Sequence, residues 1–119
     1  SNDLEKSRKF YDSIFACIGI GPGQFDPSGR LFYMSPSGNF MVTTPINGQP
    51  ATFANGGTIG FAIGSPDQAD AWHKAGVENG GVSCEDSPGV REAAFGNMYL
   101  AYLRDPDGNK LCAFHIMST

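Results

Sequence analysis

The feature that most constrains the fold is a phrase that the chain repeats. Residues 34–44 read MSPSGNFMVTT, and residues 103–115 read LRDPDGNKLCAFH. In both stretches Pro, Gly and Asn follow one another with the same spacing, and a short apolar strand comes next. The matched pairs are Pro36 with Pro106, Gly38 with Gly108 and Asn39 with Asn109. A phrase repeated in this way predicts two similar modules that share one core.

Composition narrows the class of protein. The chain has 119 residues, 40% of them hydrophobic, which suits a single domain with a real core. No apolar run approaches the ~20 residues of a membrane span, so we expect no membrane partner. The net charge is −4 and the eight Lys and Arg residues are scattered, so we expect no nucleic-acid partner. Cys17, Cys84 and Cys112 form no CxxC pair, which predicts free thiols and a cytoplasmic location.

Two helices are marked by their caps. Asp3 is a good N-cap for an amphipathic segment that ends near Gly19. Ser65 followed by Pro66 and Gln68 is a capping box with proline at the first helical position. Short apolar or alternating runs predict the strands, and a long stretch after Cys84 is predicted as a loop. The predicted strands cover residues 30–34, 39–44, 58–64, 82–84, 98–104 and 109–115, and the predicted loop covers 85–97.

The element order predicts two βαβββ modules in one domain, 1–119. Module one covers about 1–52 and module two about 56–117. Module one shows no opening strand and only a poorly marked second strand near Gln24, so we expect it to need a strand from residues before Ser1. Turn chemistry explains the DPDGN stretch better than a calcium loop, because the spaced ligands of an EF-hand are missing.

Four stretches resemble the vicinal oxygen chelate superfamily, the group of glyoxalase I, bleomycin-resistance proteins and extradiol dioxygenases. They are DLEKSRKFYD, GGTIGFAI, SPGVR and, the most specific, YLRDPDGNKLCAF. The resemblance spans essentially the whole chain. It implies an α+β fold in which two βαβββ modules form a cupped mixed sheet, often as a homodimer. It does not by itself imply an activity.

The resemblance also implies where a divalent metal would bind. Its ligands would come from the first and last strands of each module, and the first of these would precede Ser1. The other three positions fall on Val42, Thr58 and Cys112. Valine cannot ligate a metal, threonine is a poor neutral ligand, and one soft thiolate does not make a site for Ni, Fe, Mn or Mg. We therefore expect no cofactor, with a divalent metal as the alternative.

Each remaining candidate residue has two interpretations, a functional role or a role in packing alone. Cys112 is expected to be a buried apolar side chain, with His115 on the opposite face of its strand, and His73 is expected to be a surface residue. The resemblance places Arg91 near the mouth of the cup, where it would clamp a carboxylate or phosphate or remain an exposed charge; Arg30 is a weaker candidate of the same kind. Tyr99, Phe114 and Phe40 are expected to line the cup, with residues 99, 101 and 103 facing as 110, 112 and 114 do.

Three functions stay open. The first is a metal-free cup that binds a small organic molecule, cationic or aromatic, as drug-sequestering members do. The second is a lyase, isomerase or dioxygenase of glyoxalase type, with metal ligands from upstream residues or a partner chain. The third is a fold whose dimer surface is its main role.

Overall fold

The structure is a computed structural model that describes residues 1–94 and 96–117. It contains two helices and eight strands among those residues. The helices are α1 (Leu4–Ala16) and α2 (Pro66–Glu78). The strands are β1 (Gln24–Phe25), β2 (Leu31–Ser35), β3 (Gly38–Val42), β4 (Ile59–Ala62), β5 (Val82–Ser83), β6 (Gly89–Ala93), β7 (Gly96–Arg104) and β8 (Lys110–Ile116).

Both helices begin where their caps predict. The Asp3 carboxylate accepts hydrogen bonds from the backbone N–H groups of Glu5 and Lys6 at 3.1 and 3.2 Å. The Ser65 hydroxyl accepts one from the N–H of Gln68 at 3.2 Å. The side chain of Gln68 reaches one residue further than a capping box requires, because its oxygen accepts from Gly64 rather than Ser65.

The strands form two separate sheets. The first sheet has the order β1-β2-β3 and is antiparallel. The second has the order β4-β8-β7-β5, with β6 also paired to β7. Only β4 and β8 run parallel, so the fold is α+β with a mixed sheet, as predicted. In the described part of the chain no strand precedes α1 and no ladder joins β3 to β4.

Two of the predicted strand assignments can be compared with the structure. The weakly marked strand near Gln24 is present as β1. The predicted loop 85–97 is wrong over part of its length, because Gly89–Ala93 pairs with β7 as strand β6. The run GVREA carries little strand signal of its own, and its pairing with β7 makes it a strand. Phe95, which that predicted loop includes, lies outside the described residues.

The core lies between the helices and one face of each sheet. Its side chains are nearly inaccessible to solvent, and the largest is Trp72. The helix α2 lies close to β7, since a Cβ atom added at Gly76 would collide with the Leu103 side chain. The core residues are Phe10, Tyr11, Ile14, Phe15, Leu31, Tyr33, Ile63, Ala69, Trp72, Ala101, Leu103, Leu111 and Ala113.

The hairpin turn of DPDGN is held by the buried carboxylate of Asp105. One oxygen of Asp105 accepts from the N–H groups of Asp107 and Asn109, each at 2.9 Å. The other accepts from the Asn109 side chain at 2.9 Å and from the Tyr11 hydroxyl at 2.5 Å. The carboxylate is thus used to shape the turn and fasten it to α1, which agrees with the turn interpretation.

No helix among the described residues is long and apolar enough to cross a membrane.

Candidate functional site

A cleft of about 480 Å³ lies where the two sheets meet. We call it the seam cleft. Its walls are the neighbouring parts of β3 and β4, the turn between β2 and β3, and the loop after α1. The residues that line it are Phe15, Ile18, Gly19, Ile20, Gly21, Tyr33, Met34, Ser35, Pro36, Ser37, Gly38, Asn39, Phe40, Ile59, Gly60, Phe61 and Ala62. Its volume is in the range of small-molecule sites.

Three aromatic rings form the floor of the seam cleft. Phe15 of α1 lies 5.5 Å from Phe40 and 5.3 Å from Phe61, both edge-on. Phe40 and Phe61 meet edge to face across the seam, with ring centroids 5.6 Å apart. This contact joins the two sheets on the core side, where no backbone ladder joins them. A ligand in the cleft would therefore rest on aromatic edges and faces.

The seam cleft is uncharged, and its lining combines apolar side chains with polar groups. None of the residues that line it carries a formal charge. Its polar groups are the hydroxyls of Tyr33, Ser35 and Ser37, the Asn39 amide and main-chain groups of the walls. A charged ligand would lose its hydration there without gaining a partner of opposite charge. The cleft suits a neutral molecule.

A second region of interest is the face of the second sheet that points away from α2, here called the helix-free face. The register places Gly60, Cys112 and Tyr102 side by side in one row across β4, β8 and β7. The next row contains Ala62, Phe114 and Leu100. Small residues on β4 thus border a band of larger apolar side chains.

The charges on the helix-free face are partly paired. Lys110 forms an ion pair with Glu85, and its ammonium lies 5.1 Å from the centroid of the Tyr102 ring. Burial is the main cause that raises the pKa of the Cys112 thiol. Burial likewise raises the pKa of Tyr102, with a smaller contribution from Cys112. Both groups are therefore protonated near neutral pH, and the Cys112 thiol is a weak nucleophile.

The predicted facing of Tyr99 is wrong by one residue. Cys112 lies opposite Tyr102, and Phe114 opposite Leu100, so Tyr99 is on the other face. There the Tyr99 hydroxyl donates to the Asp70 carboxylate on α2 at 2.7 Å. The prediction assumed a tighter hairpin than the one formed by residues 105–109. Phe114 does lie on the helix-free face, and Thr58 adjoins the start of β4.

The prediction that Val42 is the counterpart of Cys112 is also wrong by one residue. Four residues separate the paired Met34 and Asn39, whereas five separate the paired Arg104 and Lys110. The structural counterpart of Cys112 is therefore Met41, and Val42 packs against the core. Phe40 also packs against the core, and its ring forms part of the floor of the seam cleft.

Neither predicted arginine lines the seam cleft. The Arg91 guanidinium bonds to the carbonyl oxygens of Ser87 and Val90 at 2.8 and 3.3 Å. It folds over Gly89, where an added Cβ atom would lie 3.1 Å from it. Arg30 is exposed in the turn before β2, and its backbone is held by Asp26.

Both histidines lie away from the cleft. Nδ1 of His115 lies 3.1 Å from the Ile63 carbonyl oxygen, on the face opposite Cys112 as predicted. Nε2 of His73 lies 2.9 Å from the Ser83 hydroxyl. Burial lowers the pKa of His73, partly offset by the charge of Asp70.

The residues present do not fit the metal site that the family implies. The side chains at the three positions are those of Met41, Thr58 and Cys112, a thioether, an alcohol and a protonated thiol. None is the imidazole or carboxylate that divalent Ni, Fe, Mn or Mg prefers. Across residues 1–94 and 96–117, no group of three or more His, Cys, Asp or Glu side chains could hold a metal ion.

Comparison with solved structures decides the family. A glyoxalase/bleomycin resistance protein from Albidiferax ferrireducens T118 is 62% identical in sequence, with a TM-score of 0.92. The match covers 96% of this chain and 91% of that one. The chain belongs to the glyoxalase/bleomycin resistance protein family. No protein-family model and no curated protein matches the sequence.

Solved structures of much lower sequence identity share the fold. A glyoxalase-related enzyme from Fulvimarina pelagi is 18% identical, with a TM-score of 0.71, over 96% of this chain and 81% of that one. A glyoxalase/bleomycin resistance protein/dioxygenase family enzyme from Burkholderia phytofirmans PsJN is 13% identical, with a TM-score of 0.70, over 98% and 93%. At these identities the likeness supports the cupped α+β fold alone.

Sequence reasoning missed most of the seam cleft. Ile18 is predicted as an apolar residue of the first helix, but α1 ends at Ala16 and Ile18 follows it. Ile20 is predicted as loop and Met34 only as part of a strand. The repeated phrase has the same spacing in both copies and therefore aligns Val42 with Cys112, and only the strand pairing in the structure identifies Met41.

Proposed function

We propose that this family member binds a neutral, apolar or aromatic small molecule in the seam cleft and needs no divalent metal to do so. The observation that carries the proposal is the uncharged lining of a 480 Å³ cleft with an aromatic floor. From the sequence we expect a ligand that is cationic or aromatic. The uncharged lining of the cleft favours an aromatic ligand without charge. Enclosure and stacking supply the affinity, and no bond is broken.

The poor donor set at Met41, Thr58 and Cys112 supports the metal-free part of the proposal. The three cysteines are free, which supports a reducing compartment such as the cytoplasm. Exposed apolar side chains, among them Ile46 at 92% and Met34 at 73% exposure, are compatible with a homodimer. Location and dimerisation are part of the proposal.

A matched pair of dyes tests the proposal. Nile red is neutral and fluoresces in apolar surroundings, and Nile blue is a cation of closely similar shape. Nile red should bind saturably with one site per chain, and Nile blue roughly tenfold more weakly, because its charge would be desolvated without a partner. Failure of Nile red to saturate, or tighter binding of Nile blue, would overturn the proposal.

Two aspartate variants locate the binding. Met34 lines the seam cleft and Ile46 does not, yet both are largely exposed, so neither substitution disturbs the core. Met34→Asp should weaken Nile red several-fold and strengthen Nile blue, since it adds a carboxylate at the cleft. Ile46→Asp should change neither affinity. Equal effects of the two variants would place the dye elsewhere.

A further inference from the structure

A serine and a histidine meet at one edge of the second sheet. Ser83 ends β5 and pairs with Leu103 of β7. Leu103 packs beside Gly76 of α2, and residues opposite each other in a ladder turn their side chains to the same face. Ser83 therefore points toward α2, where its hydroxyl oxygen lies 2.9 Å from Nε2 of His73.

The turn after α2 brings these two residues together. Gly80 has a φ of +104°, in the left-handed region that favours glycine. The N–H of Gly81 donates to the carbonyl oxygen of Gly76 at 2.8 Å, a bond that closes the end of the helix. The chain thus reverses directly after α2 and runs back along it, so Ser83 comes to lie beside His73.

The His73 imidazole is in the state that a base requires. It is half-buried, and burial lowers the pKa of His73, so the ring is neutral near pH 7. With the ring proton on Nδ1, Nε2 accepts a hydrogen bond from the Ser83 hydroxyl. A histidine in this position can take the serine proton as the oxygen attacks, which makes the hydroxyl a stronger nucleophile.

A carboxylate lies beside the imidazole. Asp70 precedes His73 by three residues, so the two side chains project from the same side of α2. Burial lowers the pKa of His73, and the charge of Asp70 partly offsets that effect. The Tyr99 hydroxyl donates to Asp70 at 2.7 Å and holds the carboxylate in place. Asp70 thus stabilises the imidazolium that forms when His73 takes a proton.

We propose that Ser83 and His73 form a nucleophilic pair that takes an acyl group from an activated ester. Neither residue lines the seam cleft, so this activity is independent of the function proposed above. In the first step the Oγ atom of Ser83 bonds to the acyl carbon while its proton passes to Nε2 of His73. The bond between the acyl carbon and the leaving oxygen then breaks, and that oxygen takes the proton from His73.

Water then releases the acyl group from Ser83. His73 takes a proton from a water molecule, and the oxygen of that water bonds to the acyl carbon. The bond from the acyl carbon to Oγ breaks, the carboxylic acid departs, and the proton on His73 returns to Oγ. Both residues end in the state in which they began.

The exposed position of Ser83 limits the substrate. Solvent, rather than a set of buried donors, surrounds the carbonyl oxygen as it becomes negative during attack. Such a site gives the reaction less help than an enclosed one, so the leaving group itself must be a good one. The pair therefore acts on aryl esters and similar activated esters, and not on amides.

The test follows acetylation of the full chain by 4-nitrophenyl acetate, an aryl ester. The protein carries Cys84→Ala, so that no thiol adjoins Ser83 in the sequence. The tryptic peptide 75–91 contains both Ser83 and Ser87, and Ser87 is the matched control because it is also exposed. Mass spectrometry of that peptide should find Ser83 acetylated roughly tenfold or more faster than Ser87, because a general base contributes at least that much.

Two variants assign the roles of the neighbouring residues. His73→Gln removes the base and keeps a polar side chain, and it should slow acetylation of Ser83 roughly tenfold or more while Ser87 is unaffected. Asp70→Asn removes the charge and keeps an oxygen that accepts from the Tyr99 hydroxyl. It should slow acetylation of Ser83 about two- to fivefold and lower the pKa of His73 in an NMR titration, because the imidazolium loses a nearby negative charge.

Either of two results would overturn the inference. One is equal acetylation of Ser83 and Ser87 in the starting protein, a comparison that needs no further variant. The other is an unchanged rate at Ser83 in His73→Gln, with a melting temperature close to that of the starting protein. Fast acetylation of Ser83 that depends on His73 supports the inference, whether or not Nile red binds in the seam cleft.

Discussion

At the scale of single residues, the buried contact between Tyr11 and Asp105 links the two modules. Tyr11 is 1% exposed on α1, and Asp105 is 4% exposed in the turn before β8. Their hydrogen bond spans 94 positions in the sequence. Burial, followed by the charge of Asp105, raises the pKa of Tyr11 far above its ordinary value. The contact therefore fastens module one to the repeated turn of module two.

The raised pKa of Tyr11 predicts a loss of stability in alkali. The unfolded chain releases the tyrosine proton above about pH 10, while the folded chain retains it. Tyr11 therefore contributes its full stabilisation of the folded chain below about pH 10. The free energy of unfolding falls as the pH rises beyond that value. Urea unfolding between roughly pH 8 and 11 measures the slope.

Tyr11→Phe is the control for that slope. It keeps the ring but removes the proton and the hydrogen bond, so it should cost about 1–3 kcal/mol at neutral pH and make the alkaline decline shallower. Tyr33, whose pKa is also raised chiefly by burial, remains in both proteins and accounts for the decline that persists. An unchanged alkaline slope in the variant would contradict the role given to Tyr11.

At the scale of elements, the sequence predicts most helices and hairpins correctly. It does not predict reliably which face of the sheet each side chain lies on. Caps such as Asp3 and Ser65 mark helix starts because they act through local hydrogen bonds. Facing depends on how many residues a turn contains, and a single extra residue moves every side chain to the other face. This is why Val42 and Tyr99 were assigned to the wrong side while β7 and β8 themselves were found. The strand β6 was missed because only its pairing with β7 makes it a strand.

An engineered crosslink tests the observed register of β7 and β8. Cys112 lies opposite Tyr102, so Tyr102→Cys should form a disulfide with Cys112 under mild oxidation. Ala101→Cys should not, because residue 101 faces α2. Both variants are made with Cys17→Ala and Cys84→Ala, and the crosslink is read by mass spectrometry of the peptides. A crosslink from position 101 instead of 102 would show the register to be wrong.

At the scale of the whole molecule, the candidate site lies where the two sheets meet. The repeated turn predicts two modules, and in the structure the helices and the Phe40–Phe61 contact join the two sheets on the core side. Among the described residues no ladder joins β3 to β4, and the cleft lies between these two strands. The family's metal positions, by contrast, hold poor ligands. The central claim is that binding takes place at the seam and without metal.

The most direct measurement of that claim is an NMR titration of metal-free, isotope-labelled protein with Nile red. The largest amide shifts should fall on Ile20, Phe40 and Gly60, and prior dialysis against a chelator should leave the affinity unchanged. Shifts centred on Thr58 and Cys112 that arise only after Ni²⁺, Mn²⁺ or Zn²⁺ is added would contradict the claim.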